Sequence, residues 1–169
     1  MSNRPEISVI TVVRNDPDGL LRTIESVSGQ TYENIDHIVI DGASTDKKTL
    51  EVVSQNSHRF AYSISEPDHG VYDAMNKGMG HVADDHFIVF LNAGDVFSSL
   101  DAVDKTVKEL PDDVDAFYGD IFLKETDGTL TPHAAKSFDL DTLMRFGTGV
   151  LCHQAFFIRR GLAPKYNQK

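Results

Sequence analysis

The stretch ISVITVVRNDPDGLLRTIESVSG, residues 7–29, decides the fold. Its first seven residues, Ile7–Val13, form a β-branched run that suits a strand buried on both faces. The pattern then changes period. Asp16-Pro17 reads as a helix N-cap with proline at the first helical position. Leu20, Leu21, Ile24 and Val27 follow at helical spacing, and Gly29 fits just past the helix end.

The same alternation continues outward. Ile35–Ile40 reads as a second strand that ends in the turn-rich loop Asp41-Gly42-Ala43-Ser44-Thr45-Asp46. A helix with Leu50 and Val53 on its inner side is expected next, then a weaker strand over Phe60–Ser65. Val71, Met75 and Met79 recur every four residues and mark one helix face. Phe87–Leu91 reads as a strand, and Val103, Val107 and Leu110 as a helix capped by Ser98 or Ser99. This order predicts right-handed crossovers and a mostly parallel sheet.

The second half reads differently. Ala116–Leu123 and Leu130–Ala134 flank Thr126-Asp127-Gly128, and Asp-Gly is a strong hairpin signal. Leu140, Leu143 and Met144 predict a short helix, and Val150–Ile158 a last strand. No repeat or linker interrupts the chain, so residues 1–169 read as one domain.

Composition narrows the function classes. Cys152 is the single cysteine, which excludes an internal disulfide and fits a reducing compartment. MSNRPEISVITVV lacks the pattern of a signal peptide, and no window approaches the roughly 18 apolar residues of a membrane span. A cytoplasmic location is expected. The formal net charge of −10 argues against nucleic-acid binding. A phosphate-bearing ligand would need a divalent cation or local backbone donors to offset that charge.

Four predicted strand ends are polar: Arg14-Asn15-Asp16, Asp41, Glu66-Pro67-Asp68, and Asn92 with Asp95. Ligands of open parallel sheets bind beyond such ends. Each tip also has a plain structural role open to it. Asp16 and Asp46 suit helix capping, and Asp68 and Asp95 could cap the helices that follow them. Asp73, Asn76 and Lys77 share a helix face that could be a solvated ion-pair face. Gly78-Met79-Gly80-His81-Val82-Ala83 fits a dinucleotide fingerprint but closes a helix rather than opening one. There is no G-x-x-x-x-G-K-[ST] loop, no G-x-S-x-G elbow and no H-E-x-x-H.

SVITVVRND, SVSGQTYENIDHIVIDGASTD, SEPDHGVYDAMNKGM and FIVFLNAGDVF, in that order, closely resemble family 2 glycosyltransferases of the GT-A fold. YGDI and CHQAFFIRR extend the likeness to about residue 160. The enzymes most alike make bacterial capsule, exopolysaccharide and O-antigen. The resemblance implies an α/β fold, a GT-A-type (Rossmann-like) mostly parallel sheet flanked by helices, with a β-hairpin in the second half. Residues 1–97 would form the nucleotide-sugar-binding half and residues 98–169 the acceptor-side half.

The implied activity is inverting transfer of a sugar from a nucleotide-sugar to a saccharide or lipid-linked saccharide acceptor, in cell-surface polysaccharide synthesis. Thr11 and Val13 would lie by the nucleobase, and Asp41 would hydrogen-bond it, most simply as the uracil of a UDP-sugar. Asp68, Asn76, Lys77 and Asn92 would line the donor. The family's D-x-D metal motif aligns with Asn92-Ala93-Gly94-Asp95, which leaves Asp95 as the retained carboxylate for Mg²⁺ or Mn²⁺, with His153 a second candidate ligand. Diphosphate and water oxygens would complete the shell.

The family's general base lies beyond the HQAFFIRR block, and no carboxylate follows Asp141 here. A shortened chain, substitution by Asp120 or Asp139, and a donor-binding domain without transfer activity all remain open. A nucleotidyltransferase is a further alternative, which the lack of a phosphate loop near the first strand disfavours. No transmembrane segment is expected. Peripheral attachment at the inner membrane face and oligomerisation are both compatible with the reading.

Overall fold

The computed structural model describes residues 4–111, 113–134 and 152–167. Its centre is a six-stranded sheet in the order β3-β2-β1-β4-β8-β5. The strands are β1 (Ile7–Val13), β2 (Ile35–Asp41), β3 (Tyr62–Ser65), β4 (Phe87–Phe90), β5 (Ala116–Tyr118) and β8 (Phe156–Arg159). β1 through β4 are parallel, with Ile10 opposite Ile38 on one side and Phe90 on the other. β8 runs antiparallel to both β4 and β5. β5 therefore points the same way as β4. The fold class is the expected α/β arrangement, with helices on both faces.

All seven residues of β1 are buried, as a β-branched run between two helical layers requires. Alternation sorts its side chains by face. Ile7 and Val9 join Phe87, Val89 and Leu91 beneath α1 (Pro17–Ser28) and α4 (Ala102–Glu109). Ile10 and Val12 join Ile38, Ile40, Met75 and Met79 beneath α3 (Val71–Met79). Val13 packs with Leu20 and Ile24 of α1 and with Val39.

The caps follow sequence chemistry. Asp16 accepts from Gly19 N at the start of α1. Asp46 accepts from Lys48 N and Thr49 N at the start of α2 (Lys47–Gln55). Neither serine expected to cap α4 does so. That helix begins after Asp101, whose carboxylate receives the Ser99 hydroxyl. In the preceding segment Phe97 N donates to Ser26 Oγ of α1, and Ser99 O accepts from Gln30 just past that helix.

Other expectations need correcting. Leu50 and Val71, read as inward-facing, are 39% and 44% exposed. Thr49 is the buried residue of α2, and Ala74, Met75, Gly78 and Met79 are those of α3. The stretch Ala116–Leu123 is two strands, broken at Gly119-Asp120. β5 joins the main sheet, and β6 (Ile121–Lys124) pairs with β7 (Leu130–His133) across the predicted Asp127-Gly128 turn. The last strand begins at Phe156, because His153–Ala155 forms a single 3₁₀ turn. Val150, Leu151 and the predicted helix at Leu140, Leu143 and Met144 lie outside the described residues. No helix among the described residues is long and apolar enough to cross a membrane.

Candidate active site

Parallel strands bring their carboxyl ends to one edge of the sheet. There Val12 and Val13 of β1 with Arg14 and Asp16 just after it, Asp68, Gly70, Val71 and Ala74 around the start of α3, and Asn92 and Ala93 after β4 line an open crevice of about 320 Å³. Val13, Asp68 and Asn92, expected from sequence, meet here.

Two residues with left-handed backbone shape the upper tips. Asn15 has φ 53° and Ala43 has φ 54°. The Asn15 side chain accepts from Thr45 N and Asp46 N, and Ser44 Oγ accepts from Asn15 N at 2.7 Å. The β1 and β2 tips are thereby cross-linked. Asp68 sits directly over Gly42. A Cβ at Gly42 would come within 2.2 Å of Asp68 Oδ2, so only glycine admits the carboxylate in this position. Asp68 is not the cap of α3. It accepts from Gly70 N at 2.9 Å, and α3 has no side-chain cap.

Four expected donor residues have other partners. Thr11 is fully buried in the sheet. Its hydroxyl donates to Leu91 O at 2.8 Å and lies 2.9 Å from His37 Nε2, so it sits beneath the crevice. Asp41 has no exposed surface. It accepts from Ser44 N, Ser44 Oγ and Ser65 Oγ. The Asn76 amide is engaged with the backbone of Tyr166. Lys77 donates to Pro67 O and pairs with Glu66 at 2.9 Å and Asp73 at 3.7 Å. The Glu66 hydrogen bond raises the Lys77 pKa. Asn76 and Lys77 fasten neighbouring segments rather than line the cavity.

The turn after β4 gathers a second cluster. Asp95 N donates to Asn92 O at 2.9 Å, and Gly94 takes φ +100°, which favours glycine. Asp95 caps no helix, since the next one, α4, begins at Ala102. Asn92 Nδ2 lies 3.3 Å from His153 Nε2, and Gln154 Nε2 donates to Asp95 Oδ2 at 3.2 Å. Cys152 Sγ in turn donates to Gln154 Oε1. Burial lowers the His153 pKa, with the Asp95 carboxylate pulling the other way. Asn92 Oδ1 is buried and has no hydrogen-bond partner among the described residues.

Asp95, His153 and the Asn92 oxygen are donors of the kind that Mg²⁺ or Mn²⁺ accepts. No cluster of three His, Cys, Asp or Glu side chains suited to a metal occurs among the described residues. The set present fits a cation only if a ligand supplies further oxygens.

Gln154 and Arg22 were not legible as site residues. The place a Cβ would take on Gly94 is 3.7 Å from Arg22 Nη2, so this cation borders the turn. Asp120 follows β5 at the same sheet edge, and its neighbour Gly119 donates to Ala155 O beside the His153 turn. Asp139 lies outside the described residues.

Residues 8–166 match the family model described as Glycosyl transferase family 2. A PGL/p-HBAD biosynthesis glycosyltransferase of Mycobacterium bovis is 32% identical over 94% of this chain and 60% of its own length. An uncharacterized glycosyltransferase of Mycobacterium tuberculosis is 47% identical over 65% of this chain and 42% of its own length. The chain thus spans about half the length of these curated relatives. Among solved structures, a mannosyltransferase from Pyrobaculum calidifontis in complex with GDP-Man and Mn²⁺ superposes with TM-score 0.66 at 19% identity, over 94% of this chain and 45% of that one. S. aureus TarS 1–349 in complex with UDP gives TM-score 0.54 at 19% identity, over 61% of this chain and 31% of that one. At that identity the likeness is one of fold.

Proposed function

The chain belongs to glycosyl transferase family 2, and from that premise we propose that its crevice binds a nucleotide-sugar, a UDP-sugar first among them, for inverting transfer of the sugar. The acceptor in this reading is a saccharide or lipid-linked saccharide of cell-surface polysaccharide. Work at the cytoplasmic face of a membrane, by peripheral attachment, belongs to the same reading.

One observation carries it. Val13, Asp68 and Asn92, from three separate strand tips, line a single cavity, and Asn92 joins that cavity to the Asp95–His153–Gln154 cluster. The nucleoside would lie against Val13, Gly70 and Val71, with its diphosphate directed toward the turn after β4. Asp95 would hold Mg²⁺ or Mn²⁺ there, with His153 and Asn92 Oδ1 beside it. When bound, the cation would neutralise charge that builds on the departing nucleoside diphosphate. Gln154 would keep the Asp95 carboxylate aimed, and Arg14 and Arg22 would add positive charge at the phosphate side. The unpartnered Asn92 oxygen is a buried acceptor that a donor hydroxyl or the cation would satisfy. Asp120 is the described carboxylate at this sheet edge proposed as the acceptor's base.

The test is a nucleotide panel. Thermal unfolding with Mn²⁺ is followed with UDP, GDP, dTDP and AMP. Stabilisation by a nucleoside diphosphate, largest for UDP, is expected, because a ligand that binds only the folded state raises its stability. Equal behaviour with all four and with none would remove the donor-site reading.

A further inference from the structure

We propose that Thr23 is the positioning residue of this site. Its hydroxyl fixes the Asn92–Asp95 turn in the shape that aims Asn92 and Asp95 at a cation-bound diphosphate. The assignment rests on the donor-site reading above.

Thr23 lies inside α1 and is fully buried. A helical threonine ordinarily returns its hydroxyl to the carbonyl four residues earlier. That contact exists here, to Gly19 O at 3.2 Å, but Asp95 O is nearer at 2.8 Å. Asn92 O is at 3.3 Å. The hydroxyl has one hydrogen, and the shortest geometry directs it to Asp95 O. Its oxygen accepts from Gly94 N at 3.0 Å. One side chain therefore satisfies a donor and an acceptor on consecutive residues of the turn. It touches the backbone of both residues whose side chains face the proposed cation.

The neighbouring side chains show that this is a local device with a separable role. Thr23 and Ser26 stand three residues apart on α1, and Gln30 follows just past its C-cap Gly29. Ser26 Oγ accepts from Phe97 N at 2.8 Å. Gln30 accepts from Val103 N and donates to Ser99 O at 2.8 Å. The irregular segment between β4 and α4 thus bonds through its backbone to two side chains of α1, Thr23 and Ser26, and to Gln30 just beyond its end. Only the Thr23 point lies on the Asn92–Asp95 turn. Ser26 and Gln30 hold the segment downstream of it.

The experiment compares wild type, Thr23→Val, Thr23→Ser and Ser26→Ala. UDP binding is measured by calorimetry across a range of Mn²⁺. Amide hydrogen exchange at Gly94 is measured without metal or nucleotide. Thr23→Val keeps the shape and removes the hydroxyl. It should raise the Mn²⁺ concentration needed for half-maximal UDP binding by about 10–100-fold, as loss of groups that orient ligands does, and should speed Gly94 exchange. Thr23→Ser should restore both. Ser26→Ala should lower the melting temperature and leave the Mn²⁺ midpoint unchanged. Should Thr23→Val not fold, Thr23→Ala removes the same hydroxyl and carries the same expectation.

An unchanged Mn²⁺ midpoint in Thr23→Val, with wild type binding normally, overturns the assignment alone. So does unchanged Gly94 exchange, or a Ser26→Ala midpoint that moves as far as that of Thr23→Val. Failure of wild type to bind UDP with Mn²⁺ overturns the donor-site reading and this assignment with it.

Discussion

The side-chain amide of Asn76 pairs with the backbone of Tyr166 in both directions. Asn76 Oδ1 accepts from Tyr166 N at 2.8 Å, and Asn76 Nδ2 donates to Tyr166 O at 3.0 Å. The Tyr166 ring stacks on Tyr72 of the same helix and meets Phe90 edge-on. A side chain here does the work of a neighbouring strand for the Tyr166 backbone. Asn76→Ala is expected to destabilise the protein by about 1–3 kcal/mol, because two backbone groups lose partners. Nucleotide affinity should stay within error, since Asn76 does not line the crevice. Denaturant unfolding and a UDP titration of the same variant check both halves.

His37 gives a pH prediction. It is buried between β1 and Phe60, and burial lowers its pKa to about 4. Thr11 spends its hydroxyl hydrogen on Leu91 O, so His37 donates from Nε2 and keeps a bare Nδ1. Nδ1 has no partner among the described residues. Protonation there would bury an unpaired charge. The unfolded chain binds this proton near the ordinary value of about 6.5 and the folded chain only near 4, so the unfolded state holds more protons between them. Stability from this source is therefore intact above about pH 6.5 and falls as pH drops toward 4, by about 3 kcal/mol in all. Between pH 6.5 and 4, wild type should lose about 3 kcal/mol of unfolding free energy relative to His37→Leu as the pH falls. Parallel curves would show that His37 titrates normally.

Gly42 and Asp68 separate binding from stability. A methyl at residue 42 meets the end of the Asp68 side chain, which can swing away. Gly42→Ala should therefore weaken UDP binding about tenfold, the cost of misplacing one contact worth about 1.4 kcal/mol, with a melting temperature near that of wild type. Unchanged affinity would mean that Asp68 does not touch the donor.

Gln154 makes a hydrogen bond to a carboxylate, and such bonds contribute about 1.5–3 kcal/mol. In Gln154→Leu the Asp95 carboxylate loses this partner. Mn²⁺-dependent UDP binding is expected to weaken about tenfold or more, while binding without Mn²⁺ stays as it was. Equal loss in both conditions would point to a general collapse of the turn instead.

Much of the fold was legible because its chemistry is local. The β-branched Ile7–Val13 run, the Asp16-Pro17 start and the Asp127-Gly128 turn each specify their own backbone. The polar strand ends were legible too, and Arg14, Asp16, Asp68 and Asn92 from them line one cavity. Which polar side chain faces that cavity was not legible. Thr11 and Asn76 take partners from distant segments, Tyr166 being 90 residues from Asn76, whereas Lys77 turns back to Glu66, Pro67 and Asp73 beside its own helix. Gln154 is 59 residues from Asp95 and reads in sequence as an ordinary polar residue. The set of Thr23, Ser26 and Gln30 looks like solvated polar surface until the irregular segment is laid over it. Ala116–Leu123 was misjudged because a β-rich run does not announce that it serves two sheets.

The most direct test of the central claim is calorimetric titration of UDP with and without Mn²⁺, on wild type and on Asp95→Ala. The account predicts tight binding only with Mn²⁺ in the wild type, and loss of the Mn²⁺ effect in Asp95→Ala. Binding that is equally strong in both proteins, or indifferent to Mn²⁺ in the wild type, would contradict the claim that Asp95 holds a cation against the donor diphosphate.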